Sequence, residues 1–250
     1  MNKRALVIGI NYTGSSAALN GCINDAMSVR EELVKRGYPE NNITLLTDDT
    51  DVKPIRENIL KELLALIVSD ATELYFHYSG HGSSVRDVDG DEDDGKDECL
   101  VPLDYRCGNM ILDDEIRGLL YCLSERQRMF CVLDCCHSGT GMDLKYNLYE
   151  RYGGRYLSMM DDRKQRPTRG QCIMLSGCQD PQTSADAWEE GKFQGAMTYS
   201  FLRALEECGS RVRYEDLIKK IRAILKEKGY SQLPSLSAGK PLNLRSRVQL

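Results

Sequence analysis

Two short motifs in the 250-residue chain carry residue types suited to nucleophilic catalysis. Residues 77–82 read His-Tyr-Ser-Gly-His-Gly, and residues 134–139 read Asp-Cys-Cys-His-Ser-Gly. A thiol attacks a carbonyl as thiolate, and a neighbouring imidazole both favours that form and later protonates the leaving amine. Glycines beside the pair let backbone approach a substrate carbonyl, and the amides of Gly82 and Cys136 are the candidates to donate to a developing oxyanion. Cys135 fits an ordinary buried packing thiol, whereas Cys136 stands where an apolar run gives way to a glycine loop. Among the histidines, His77 lies inside its apolar run as a core or supporting residue, and His137 adjoins the cysteine and points away from it. His81 remains as the partner of Cys136.

For the two motifs to meet, the strands that end in them must be neighbours. Continuous apolar runs at residues 5–10, 43–46, 74–79, 129–134 and 171–176 read as strands buried on both faces, with a last strand expected at 242–248. Helical spacing of apolar residues predicts helices over 20–36, about 54–68, 113–123, 196–207 and 214–228, with Gly37 closing the first and Pro54 near the start of the second. Strand alternating with helix implies right-handed crossovers and a mostly parallel, helix-covered α/β sheet. In such a sheet functional groups gather beyond the carboxyl ends of the strands, where both motifs fall. The polar stretch 161–169, containing Pro167, makes 141–169 an expected exposed linker. It divides a single domain over 1–250 into a part over 1–140 that bears both motifs and a part over 170–250.

Composition narrows the function classes. A hydrophobic fraction of 41% with 28% charged residues excludes a globally disordered chain. A net charge of −5 gives no compositional support for a nucleic-acid partner. No apolar run approaches the roughly 20 residues of a membrane span, and the opening residues read as a strand, not a signal peptide. The ten cysteines are scattered through apolar segments without paired finger spacing. They read as reduced thiols of a cytoplasmic protein without structural zinc.

The pairing of residues 77–82 with 134–139 resembles the metacaspases, caspase-fold cysteine peptidases. Residues 5–11, 19–26 (Leu-Asn-Gly-Cys-Ile-Asn-Asp-Ala) and 175–187, with Ser-Gly-Cys-Gln-Asp and Thr-Ser-Ala-Asp-Ala, extend the likeness over nearly the whole chain. The short linker is similar to the type I group, with the amino-terminal extension that many of its members carry expected to be absent or trimmed. The resemblance implies a caspase-like sandwich around a mostly parallel six-stranded sheet with its last strand antiparallel. It implies a dyad of His81 as general acid/base and Cys136 as nucleophile, and cleavage after Arg or Lys. An acidic pocket explains such a preference, since a carboxylate binds a guanidinium in two parallel hydrogen bonds and repels an acidic side chain. By motif the pocket residues are Asp25 and Asp134, with Cys22 and Ser79 on its wall and Asp186 near its mouth. Read without the resemblance, Asp134 is a turn cap and Asp25 an exposed first-turn acid.

Residues 87–98 (Asp-Val-Asp-Gly-Asp-Glu-Asp-Asp-Gly-Lys-Asp-Glu) concentrate carboxylates that repel unless solvated or neutralised, and their register fails the EF-hand pattern. Taken alone the run reads as a solvated loop. The resemblance implies a Ca²⁺ requirement with Asp97, Asp113, Asp114 and Asp143 as ligands. Binding there would order the chain around the nucleophile, at low millimolar or weaker affinity, with Mg²⁺ fitting less well. Lys145, Arg151, Arg155, Arg163, Lys164, Arg166 and Arg169 in or beside the linker are expected sites of self-cleavage, against a reading as solubilising charge. The expected partners are protein or peptide substrates, and the expected state is a monomer. The rival from another class is a catalytically idle caspase-like scaffold that binds a partner through the acidic run. A hydrolase of small amides shares the dyad but gives no reason for the pocket aspartates.

Overall fold

The computed structural model describes residues 2–86, 96–135, 142, 144–151, 156–177, 187–189, 191–209 and 211–250. Strands are β1 (Lys3–Gly9), β2 (Ile43–Thr47), β3 (Glu73–Ser79), β4 (Gly82–Arg86), β5 (Lys96–Leu100), β6 (Ile111–Leu112), β7 (Arg128–Asp134), β8 (Tyr146–Arg151), β9 (Tyr156–Asp161), β10 (Gln171–Ser176), β11 (Ala187–Glu189), β12 (Lys192–Gln194) and β13 (Ser235–Ala238). Helices are α1 (Cys22–Lys35), α2 (Arg56–Ile67), α3 (Asp113–Leu120), α4 (Ala196–Cys208) and α5 (Tyr214–Glu227).

The main sheet runs β2-β1-β3-β7-β10-β13-β8-β9. Its first five strands are parallel, and β13, β8 and β9 are antiparallel additions. Alternation along each central strand sends successive side chains to opposite faces. Ala5, Val7, Tyr75, Phe130 and Val132 pack beneath α1, α4 and α5, while Leu6, Ile8, Phe76, Met129 and Cys131 pack beneath α2 and α3. Burial on both faces is why these strands read as unbroken apolar runs.

The sheet has eight strands where six were expected. The two extra come from the span expected as linker, where β8 and β9 pair from Tyr146↔Asp161 to Arg151↔Tyr156. Tyr146, Leu148, Leu157 and Met159 pack on the core, while the outer face mixes Asn147, Arg151 and Ser158 with exposed Tyr149, Tyr156 and Met160, so the segment shows no clean strand alternation. The antiparallel strand is β13, not residues 242–248. Leu244 and Val248 instead pack against the α5 side of the core, and the backbone there bonds to the start of α5 through Glu215 N–H to Leu244 O at 3.0 Å. A single bridge, Arg213↔Arg247, is its only ladder contact among the described residues. β13 itself is Ser-Leu-Ser-Ala, a sequence of weak strand propensity held by pairing on both sides. A small sheet β4-β5-β6 brackets the acidic run, of which residues 87–95 lie outside the described residues.

Candidate active site

The two motifs are neighbours because β3 and β7 pair in parallel with Ser79 opposite Asp134. The Gly80 N–H reaches the Asp134 carbonyl at 3.4 Å as β3 ends. His81 follows at once on one strand, and Cys136 lies two residues beyond Asp134 in the sequence of the other. Cys136, His137, Asp143 and Asp186 lie outside the described residues. Cys135 is buried in the α2/α3 side of the core, as expected of a packing thiol.

The His81 ring is half-buried, with Nε2 2.8 Å from the carbonyl oxygen of Ala17. A carbonyl only accepts, so Nε2 carries the hydrogen and Nδ1 presents a lone pair. The imidazole is therefore held in a form able to take a proton at Nδ1. Beside it Gly82 pairs with Leu100, and the adjacent ladder bond runs from Val101 N–H to His81 O at 3.2 Å. That spacing makes Gly82 and Leu100 a non-hydrogen-bonded pair, with the Gly82 N–H turned away from β5.

On the α1 side of the same strand ends lies a pair of buried carboxyl groups. Asp25 and Asp134 are 0% and 1% exposed. Asp25 accepts from Ser79 Oγ at 2.7 Å and from the Gly195 N–H at 2.9 Å to each oxygen. Asp134 Oδ2 accepts from Thr198 N–H at 2.8 Å and Thr198 Oγ1 at 2.7 Å, while Oδ1 has no partner among the described residues. Burial, then the charge of Asp134, pushes the Asp25 carboxyl well above the usual carboxylate range. Burial likewise pushes Asp134 up to about 6, against the two bonds from Thr198. Two buried carboxyls whose charges oppose one another form a site that a cation would relieve. Asp25 is a first-turn acid of α1 but buried, not exposed, and Asp134 acts as a buried cap on the first turn of α4 through the Thr198 N–H. Cys22, one turn before Asp25 on α1, is buried beside them.

Of the acids expected to hold a metal, Asp97 and Asp113 are buried and Asp114 is half-buried. Asp113, at the start of α3, accepts from Asp114 N–H at 3.0 Å and Glu98 N–H at 3.1 Å. Burial still pushes its carboxyl up to about 7. Because Cys99 pairs with Leu112, the start of β5 runs alongside the start of α3, and the three acids share that junction. Their hard oxygen donors suit Ca²⁺. Among the described residues no group of three or more His, Cys, Asp or Glu side chains converges to hold a metal.

A family model described as "Metacaspase, peptidase C14 domain" matches residues 3–145, a span that includes both motifs. The chain belongs to the metacaspase family of cysteine peptidases. It is 38% identical to Metacaspase-1 of Cryptococcus neoformans var. neoformans, over 96% of this chain and 63% of that protein. It is also 38% identical to Metacaspase-2 of Trypanosoma brucei brucei, over 99% of this chain and 76% of that protein. The chain thus spans about two thirds of the first of these relatives. In fold it is similar to the crystal structure of Caspase-1 from Spodoptera frugiperda, with a TM-score of 0.60 at 13% identity over 99% of this chain and 91% of the other. A Geobacter sulfurreducens protein superimposes with a TM-score of 0.69 at 22% identity, over 99% and 98% of the two chains.

Within this metacaspase fold, three contributors to the site are absent from the sequence reading. The Ala17 carbonyl is a backbone group in a Gly/Ser loop, and no side-chain type marks it. Gly195 brings its backbone against both acids, so close that a Cβ there would lie 2.1 Å from Asp134 Oδ2 and 2.7 Å from Asp25 Oδ2. A glycine just before an apolar helix is a signal available in the sequence. Thr198, in the first turn of α4, has the short hydroxyl suited to such a contact but nothing that names its partner.

Proposed function

We propose that the protein is a calcium-activated cysteine endopeptidase that cleaves after Arg or Lys, with Cys136 as nucleophile and His81 as general acid/base. The observation that carries this reading is the junction of β3 and β7. Ser79 pairs with Asp134 there, so the His81 ring, the acidic pair and the strand leading to Cys136 share one sheet edge. In the reaction the Cys136 thiol gives its proton to His81 Nδ1, and the thiolate attacks the substrate carbonyl. The Gly82 and Cys136 amides receive the oxyanion. The imidazolium then protonates the leaving amine, and water hydrolyses the acyl-enzyme. Ala17 holds the ring in the competent tautomer throughout.

The preference for Arg or Lys follows from the acids. A substrate cation entering between Asp25 and Asp134 relieves their opposed charges and gives Asp134 Oδ1, unpartnered among the described residues, a donor, whereas an acidic side chain would add a further negative charge. Asp186 joins them near the mouth. Asp97, Asp113 and Asp114, with Asp143 by the family resemblance, would hold calcium, which would supply positive charge to buried carboxylates. Self-cleavage falls at Arg163, Lys164, Arg166 or Arg169, which are exposed after β9. A monomer fits the edge of β13 being covered by β8. Among the described residues, a reducing cytoplasmic setting fits the thiols of Cys99, Cys107, Cys122, Cys131, Cys172 and Cys208, which are outside any disulfide. Among the described residues no helix is long and apolar enough to cross a membrane.

The test is a fluorogenic peptide with Arg or Lys before the leaving group, assayed with calcium, with chelator, and as Cys136→Ala. Turnover that requires both the sulfur and the ion is expected. Turnover that survives Cys136→Ala rejects the peptidase mechanism, and turnover that survives chelation rejects the metal requirement alone. Intact mass of calcium-treated protein against Cys136→Ala reads the self-cleavage, which equal masses would rule out.

A further inference from the structure

Tyr12 lies just past β1 with a φ of 50°. Left-handed backbone at a bulky non-glycine residue is strained and persists only where surrounding contacts impose it. The contacts here are those of the phenol, which is buried and reaches across to the His81 segment. Tyr12 Oη lies 2.6 Å from the Val101 carbonyl, 2.9 Å from the His81 N–H and 3.2 Å from Tyr78 Oη. Tyr78 Oη lies 2.8 Å from the His81 carbonyl, with the Val101 N–H at 3.2 Å and the Val101 carbonyl at 2.9 Å.

Each phenol has one hydrogen to donate and lone pairs to accept with. One assignment fits these distances: Tyr12 donates to Val101 O and accepts from His81 N–H, while Tyr78 donates to His81 O, which also accepts the ladder bond from Val101 N–H. Both backbone polar groups of His81 are then held by side chains of β3 and the β1 loop. The Tyr12 ring also packs against the imidazole, with centroids 4.8 Å apart and planes tilted by 36°. Gly80 is what lets the phenols close in, since a Cβ there would sit 2.8 Å from Tyr78 Oη and 3.0 Å from Tyr12 Oη. Burial raises both phenols, Tyr78 with a further push from the neighbouring Tyr12, so each keeps its hydrogen at any working pH.

We propose that Tyr12 and Tyr78 are positioning residues for the general base, a two-phenol latch that fixes the backbone and ring of His81 so that Nε2 stays on the Ala17 carbonyl and Nδ1 stays free to take a proton. The proposal rests on the reading of His81 as the base. Its consequence is confined to proton transfer, because neither phenol touches the acids that would hold the substrate side chain.

The experiment compares Tyr12→Phe and Tyr78→Phe with wild type and with Tyr75→Phe, a control that removes a buried phenol with no hydrogen-bond partner. Three readouts are taken with calcium present: kcat and KM on an Arg peptide, the pH profile of Cys136 alkylation by iodoacetamide followed by peptide mass mapping, and thermal unfolding. Both latch variants are expected to lose about tenfold to a hundredfold in kcat with KM unchanged, as a misplaced catalytic group does. Their alkylation inflection should move toward that of an isolated thiol, while Tyr75→Phe leaves both readouts at the wild-type value. Wild-type kcat and alkylation profiles in both latch variants would overturn the latch. So would losses equal to those of Tyr75→Phe at matched thermal stability. Should one variant fail to fold, the other carries the test. A wild-type alkylation profile that His81→Ala does not alter would instead overturn the base assignment, and the latch with it.

Discussion

The Nε2 atom of His81 donates to the carbonyl oxygen of Ala17 at 2.8 Å, and this bond decides which ring nitrogen is available as a base. A neutral imidazole carries one hydrogen, so a carbonyl at Nε2 leaves Nδ1 as the acceptor. Nitrogen-detected NMR of the protein above pH 8, with only His77, His81 and His137 to assign, should show His81 Nδ1 unprotonated. A hydrogen on Nδ1 would contradict the assigned tautomer. His81→Ala should lower kcat/KM by about two to four orders of magnitude, the usual worth of a positioned general base.

The proposed acidic pocket implies that substrate binding depends on pH in a defined direction. Asp134 is pushed up to about 6 by burial, and Asp25 is raised by burial and by its neighbour. A cationic side chain needs ionised carboxylates, so KM for an Arg peptide should fall as pH rises from 5 to 7, while kcat follows the dyad separately. Asp134→Asn should flatten that dependence and reduce kcat/KM by about two to three orders of magnitude, as expected for removing one partner of a buried charge pair. Cys136 alkylation should stay at the wild-type rate. A KM within twofold of wild type in Asp134→Asn would remove the pocket from this position.

Much of this site was legible because strand ends announce themselves. Leu74 to Tyr78 and Met129 to Leu133 are apolar runs buried on both faces, each stopped by glycine-containing motifs, and their adjacency follows from the βα alternation. Side-chain chemistry at such ends stands out in a one-dimensional reading. What did not stand out acts through backbone or shape. Ala17 contributes a carbonyl, Gly195 contributes the lack of a Cβ, and Tyr12 contributes a left-handed turn that nothing in its residue type suggests. β13 escaped because Ser-Leu-Ser-Ala has no β-branched residue, and its strand exists only through pairing with β10 and β8. The hairpin of β8 and β9 escaped because its outer face mixes polar residues with exposed Tyr149, Tyr156 and Met160, which leaves no clean alternation to mark a strand.

Gly195 offers the most specific steric test of the acidic pair. A Cβ at this position would approach Asp134 Oδ2 to 2.1 Å and Asp25 Oδ2 to 2.7 Å, below any real contact distance, so the acids or the start of α4 must move. Gly195→Ala should cost about 1–3 kcal/mol in urea unfolding, the range for overpacking, and should raise KM for Arg peptides. Gly118, on α3 with open space around its Cβ position, is the control. Gly118→Ala should not lose stability, since helix propensity favours alanine by about 1 kcal/mol. Equal behaviour of the two variants would mean that the Gly195 contact does not constrain the carboxylates.

His77 supplies an independent prediction, on stability instead of catalysis. It sits on the α1 face of β3, in register with Val7 and Val132, and neither ring nitrogen has a partner among the described residues. Burial pushes its pKa down to about 3, so the folded protein holds it neutral while the unfolded chain protonates it near 6.5. The unfolded state thus binds more protons through this window. The contribution of His77 to stability is fully present above pH 6.5 and is lost as pH falls toward 3, by about 1.4 kcal/mol per pH unit. Asp25 and Asp134 act in the opposite sense, since a raised folded pKa lets the fold gain stability as they protonate, so the total alone does not isolate His77. The difference between His77→Leu and wild type does. Leu fills a similar volume without unpaired polar atoms, and at pH 7 it should match or exceed wild type. Its advantage should then widen by about 1.4 kcal/mol between pH 6 and pH 5 in urea titrations. An advantage that stays constant with pH would mean that the imidazole takes up its proton inside the fold, and that this part of the core is wetter than its burial implies.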